Sequence, residues 1–83
     1  MLQKVGPHNI SKGKRVTLAK DLPVHPSFGN AILIKEGTWG DVMSNGFENG
    51  FLTVQFYSHF AGTQNVRLDG TRANEYLLVD VMI

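Results

Sequence analysis

"EGTWGDVMSNGFENGFLTVQF", residues 36–56, decides how the rest of the chain is read. Two Asn-Gly dipeptides, Asn45-Gly46 and Asn49-Gly50, sit between two runs of mixed apolar and polar residues. Asparagine and glycine tolerate the positive φ angles of tight antiparallel turns, so the stretch predicts a hairpin with "WGDVMS" and "FLTVQFY" as its arms. Side chains alternate across a strand, which groups Leu52, Val54 and Phe56 on one face and Phe51, Thr53, Gln55 and Tyr57 on the other. With the first group inward, the rings of Phe51 and Tyr57 face out. Trp39, the only tryptophan, stands between Gly37 and Gly40 ahead of this hairpin. Two readings stay open for it. Gly37 can supply a positive φ for a turn after Lys35 and Gly40 a kink, with the indole covering one end of a small core. Alternatively the indole is a platform that stacks on a partner.

Outward from the hairpin the chain is a string of short strands. "KRVTLAK" alternates, with Val16 and Leu18 on one face and Arg15, Thr17 and Ala19 on the other, as a half-buried strand requires. Asp21 to Ala31 contains Pro23, Pro26 and Gly29, and prolines cannot donate to a ladder, so it reads as a long excursion rather than a strand. Ile32 to Lys35 is a short strand ending at Gly37. "SHFAGTQ" is a loop, "NVRLD" a strand with Val66 and Leu68 inward, and "GTRANEY" a turn or single helical turn. "LLVDVMI" closes the chain with Leu77, Val79 and Val81 on one side. Residues 1–11 form an N-terminal arm, held loosely unless Val5 and Ile10 dock on the body. Residues 12–83 form one domain.

These features predict an all-β fold: a small, five-stranded, partly open antiparallel barrel with a short helical turn before the last strand. The order resembles the SH3-like barrels. Asp21 to Ala31 is similar to their first long loop, "NGFENG" to their distal hairpin and "RANEY" to the helical turn before their final strand. "EGTWGDV" resembles the glycine-punctuated segment of KOW-type and other bacterial SH3-like domains, with Gly37 and Gly40 as turn glycines and Val42 as an inward strand residue. The resemblance covers Lys12 to Ile83 at the level of architecture. The Ala-Leu-Tyr-Asp-Tyr stretch and the acidic first loop of proline-binding SH3 domains are missing, so it does not imply proline-peptide recognition.

Length and composition bound the function. Eighty-three residues make one modest core, and the absence of cysteine removes disulfides and thiolate metal sites. Eight Lys and Arg against seven Asp and Glu leave a formal charge of +1, too small for long-range steering of a polyanion. No apolar run is long enough to span a membrane and residues 1–11 carry no signal-like apolar segment, which fits a cytoplasmic protein. His8, His25 and His59 lie in separate loops with no ligand spacing, so neither metal nor another cofactor is expected. There is no nucleophile motif and no paired carboxylate pattern; Glu36 and Glu48 lie in turns where they serve solubility.

The expected function is therefore a non-catalytic protein-binding module, an accessory or regulatory subunit of a larger complex, acting as a monomer or small homo-oligomer. Its contact residues are Phe28, Trp39, Phe51, Tyr57 and Phe60, with Asp21 or Asp41 at a polar rim. Phe51, Tyr57 and Phe60, with Phe28, either form an exposed patch or lie under the N-terminal arm as a second small core. The alternative partner is a nucleic acid, single-stranded or RNA, held by Lys12, Lys14, Arg15, Arg67 and Arg72 with rings interleaved to stack on bases. An enzyme whose site is a pore formed by oligomerisation ranks behind both.

Overall fold

A computed structural model of the chain describes residues 1–25, 29–58 and 62–81. These residues are mostly strand, all antiparallel, with one helix among them. A six-stranded sheet runs in the order β1 (Leu2–Lys4), β8 (Leu77–Asp80), β2 (Arg15–Leu18), β5 (Trp39–Val42), β6 (Phe51–Ser58), β7 (Gly62–Asp69). A separate ribbon pairs β3 (Leu22–Val24) with β4 (Ile32–Ile34). The helix α1 (Gly70–Tyr76) leads into β8. The all-β expectation holds at that level. Among the described residues the main sheet has six strands rather than five, and no pairing closes it.

The hairpin joins β5 to β6, with Val42 opposite Val54 and Gly40 opposite Phe56. Only one of the two Asn-Gly pairs makes its tight turn. Asn49 and Gly50 have φ of 53° and 83°, and Glu48 and Phe51 exchange both backbone hydrogen bonds around them at 2.8 and 3.0 Å. Positive φ at both central residues is the signature of a type I′ turn. At Asn45-Gly46 the chain instead folds around side chains: the Asn45 N–H donates to Glu48 Oε1 at 2.6 Å and the Ser44 hydroxyl to the Gly46 carbonyl, also at 2.6 Å. Glu48, expected only to aid solubility, thus ties the loop together.

A larger hairpin extends the sheet. β6 and β7 pair over eight residues each, from Phe51 opposite Asp69 to Ser58 opposite Gly62. Gly62 to Gln64 therefore belong to a strand rather than to the loop expected there. Two further expectations are corrected. Leu22–Val24 is a strand despite Pro23, because it is paired only on one side, against β4, and a proline is tolerated on an edge. The helical turn is a seven-residue helix, started by Asp69, whose carboxylate accepts from the Arg72 N–H at 2.8 Å.

A single core lies on one face of the sheet. Leu52, Val54 and Phe56 are fully buried, alongside Val16, Leu18, Val42, Val66, Leu68, Leu77 and Val79 from neighbouring strands, with Leu22 and Ile34 from the ribbon and Ala73 from α1. The two-residue rhythm of each strand is what delivers these side chains to one side. The arm joins this core: Leu2–Lys4 pairs with β8, and Val5 and Ile10 are buried in it. The apolar docking that residues 1–11 could offer is thus made on the face opposite Phe51 and Tyr57. Among the described residues no helix is long and apolar enough to cross a membrane.

Candidate interaction surface

The outward face of β2, β5 and β6 carries the most organised group of exposed side chains. β2 sets Arg15 opposite Asp41 and Thr17 opposite Trp39 on β5, and β6 sets Gln55 opposite Asp41. One step along from Gly40 opposite Phe56, Trp39 meets Tyr57: their ring centroids are 4.6 Å apart and the planes tilt by 43°. The Arg15 guanidinium lies 3.8 Å from the indole centroid, with its Nε 3.7 Å from Asp41 Oδ1. The Tyr57 hydroxyl lies 3.2 Å from both Asp41 Oδ2 and Gln55 Oε1; it has one proton, so the two acceptors share it. Crowding by its neighbours and then the Asp41 carboxylate push the Tyr57 phenol above its ordinary pKa, with Arg15 acting weakly the other way.

Trp39 is 40% exposed, so the indole does not cap the core. The glycines around it now have reasons. Gly37 adopts φ 87° in the turn after Lys35. Gly40 has an ordinary φ, but a Cβ there would lie 2.6 Å from the Gln55 carbonyl oxygen and 2.9 Å from Phe56 Cδ1. Phe56 fills the space a side chain at 40 would need. A fully buried ring on the inner face thus requires bare backbone beside a tryptophan on the outer one.

Phe51, 40% exposed, stands on the same face at the other end of β6, about 20 Å from Tyr57 at strand spacing. The Arg67 guanidinium of β7 covers it at 4.6 Å. Each end of the face therefore pairs an exposed ring with an arginine. Individually such contacts contribute about 0.5–1 kcal/mol in water, and an exposed ion pair about 0–1 kcal/mol. Their effect is to hold the side chains in fixed positions rather than to stabilise the fold.

Of the protein-contact residues expected from sequence, Trp39 and Tyr57 come together and Phe51 shares their face; Phe28 and Phe60 lie outside the described residues. Asp41 is inside the cluster rather than at a rim. Asp21 is committed elsewhere, accepting from the Glu36 N–H at 2.7 Å. The five cations are not one patch. Arg15 and Arg67 cover rings, Lys12 and Lys14 are exposed in the turn before β2, and Arg72 projects from α1. His8 and His25 are exposed and His59 lies outside the described residues, among which no three His, Cys, Asp or Glu side chains are grouped to hold a metal.

Arg15 was assigned from sequence only to the nucleic-acid reading, and Gln55 to no site. What joins both to the rings is the register of β2 against β5 and of β5 against β6, which alternation within one strand does not specify. No protein-family model, curated protein or solved structure matches the chain.

Proposed function

We propose that this chain is a non-catalytic protein-binding module, an accessory or regulatory subunit of a larger complex, whose contact surface is the outward face of β5 and β6. The observation that carries this reading is the Trp39–Tyr57 pair, exposed yet fixed by Arg15 and Asp41. Large rings already held in one arrangement lose little conformational freedom on binding, and aromatic and arginine side chains dominate interface energies. Trp39 and Tyr57 are the anchors, Phe51 extends the surface, and Asp41 with Gln55 supplies acceptors. The finer fold reading, a partly open SH3-like barrel, is part of this proposal. It is supported by the order of strand, two-stranded excursion, three-stranded meander and helix, with the last strand returning beside β2.

Nucleic-acid binding is the second reading, favoured by the arginines over Trp39 and Phe51. Asp41 lies opposite Arg15 and Asp69 on the strand of Arg67, and both oppose a phosphate backbone, which places it behind protein binding. Recovery of tagged protein from its native cell, with and without nuclease, separates the two. The expected result is a nuclease-insensitive protein partner that is lost from both Tyr57→Ala and Trp39→Ala. Retention by both variants, or loss of everything after nuclease, overturns the proposal.

A further inference from the structure

β7 is the long edge of the main sheet, and the direction of its unpaired backbone groups can be worked out from the ladder. Val42 gives its N–H to the Lys14 carbonyl (2.9 Å) and accepts from the Gly13 N–H (2.8 Å), so both its groups point at β2. Met43 donates the other way, to the Thr53 carbonyl of β6, at 2.9 Å. Backbone groups alternate between sides along a strand, so Thr53, Gln55 and Tyr57 face β5 while Leu52, Val54 and Phe56 face β7. Their partners Leu68, Val66 and Gln64 accordingly spend their N–H and C=O on β6. The same groups of Thr63, Asn65 and Arg67 point out of the sheet, where no described strand pairs with them.

Edges of this length are ordinarily blunted by charged side chains, lysine above all, by proline or by a bulge; "GTQNVRLD" has no lysine or proline, its charges Arg67 and Asp69 are engaged with Phe51 and the start of α1, and it pairs with β6 without a break. Across from it stands β3, which has three residues and a proline at its centre that offers no donor, so it is poorly suited to close the gap. Between them runs a groove of about 370 Å³. Its apolar lining includes Val66 and Leu68; Arg72 and His25 also line it, as does Arg67, whose guanidinium lies 4.6 Å from the Phe51 ring centroid, and among the described residues no carboxylate does. The Arg72 guanidinium has no ion-pair partner among the described residues.

We propose that the open edge of β7 is a strand-addition site for an extended, carboxylate-rich segment of a partner protein, which lies in the groove between β7 and β3. Main-chain bonds to Thr63, Asn65 and Arg67 supply pairing, and alternate side chains divide between the apolar lining and Arg72. A polypeptide matches the alternating donors and acceptors of the edge; a phosphate backbone offers acceptors only. The site uses the edge of β7 rather than the Trp39–Tyr57 pair, although Arg67 also covers Phe51, and its test does not depend on that pair.

Titration with two end-blocked synthetic peptides, Glu-Thr-Glu-Val-Glu-Thr and its lysine counterpart, tests this by calorimetry and residue-resolved amide exchange. Expected are binding of the glutamate peptide alone and slowed exchange at Thr63, Asn65 and Arg67. Asn65→Pro removes one outward N–H and leaves the β6 ladder its bonds, so affinity falls about tenfold or more with the fold retained. Should that variant unfold, Arg72→Glu is the substitute and has the same expected loss. Equal binding of both peptides, binding of neither, no protection of the three amides, or undiminished affinity in Asn65→Pro (or in its substitute) overturns the proposal. So does displacement of the glutamate peptide by a single-stranded oligonucleotide, or a dimer that forms through this edge without peptide.

Discussion

Leu52, Val54 and Phe56 on one face of β6 are fully buried, whereas Phe51 and Tyr57 on the other keep 40% and 37% of their surface accessible. The same strand therefore supplies both the centre of the core and the ends of the candidate contact surface. The inner face works by excluding water, with each large side chain contributing about 1.5–3 kcal/mol through burial alone. The outer face gains little of this. Its rings are held by an arginine, a carboxylate and each other, contacts that fix geometry more than they resist unfolding. Composition does not separate the faces, since phenylalanine occurs on both; packing partners do.

The contrast is most severely tested on the inner side. Phe56→Ala is expected to lower unfolding free energy by about 3–5 kcal/mol in denaturant titration, the ordinary cost of an unfilled space left by a core ring. A loss below 1 kcal/mol would mean that Phe56 is not packed as described. Next in size is Gly40→Ala, the point where the faces meet. With backbone only 2.6 Å from the new Cβ, the strand must shift, and a loss of about 1–3 kcal/mol follows from over-packing. An unchanged denaturation midpoint would show that β5 and β6 have room to spare.

On the outer side the order of effects reverses. Tyr57→Ala should move the melting temperature by less than about 5 °C while abolishing partner recovery. A large thermal loss with binding retained would reassign the ring to the fold. The smallest effect is the Tyr57 ionisation itself. Ultraviolet titration of the phenolate should place this tyrosine above the ordinary range, and Asp41→Asn should lower it in part, crowding by its neighbours being the larger cause. Because the folded value is raised, the associated stabilisation is complete below the unfolded tyrosine pKa and is lost as pH rises through the folded one. A Tyr57 titration indifferent to Asp41→Asn would break the contact between them.

Local chemistry made much of this legible in advance. Asn49-Gly50 marked its turn because both residues must accept positive φ, and the alternation assigned the side chains from Phe51 to Tyr57 to their faces. Other segments misled for identifiable reasons. Pro23 argued against a strand, yet edge pairing tolerates it; Asn45-Gly46 looked like a second tight turn, yet Ser44 and Glu48 side chains shape the chain there. Gly62 to Gln64 carry no β-branched or apolar rhythm beyond Thr63 and become a strand by pairing along β6.

By itself the sequence determined the antiparallel β character, the inward set Leu52, Val54 and Phe56, and the outward turn of Phe51 and Tyr57. These follow from backbone sterics and a period of two, which act within a few residues. Only the tertiary structure decided that Trp39 faces water, that Arg15 and Asp41 brace it beside Tyr57, that the arm docks along β8, and that no described strand pairs with the outer edge of β7. Those outcomes depend on which strands become neighbours and in what register. That choice is made by the packing of the whole core.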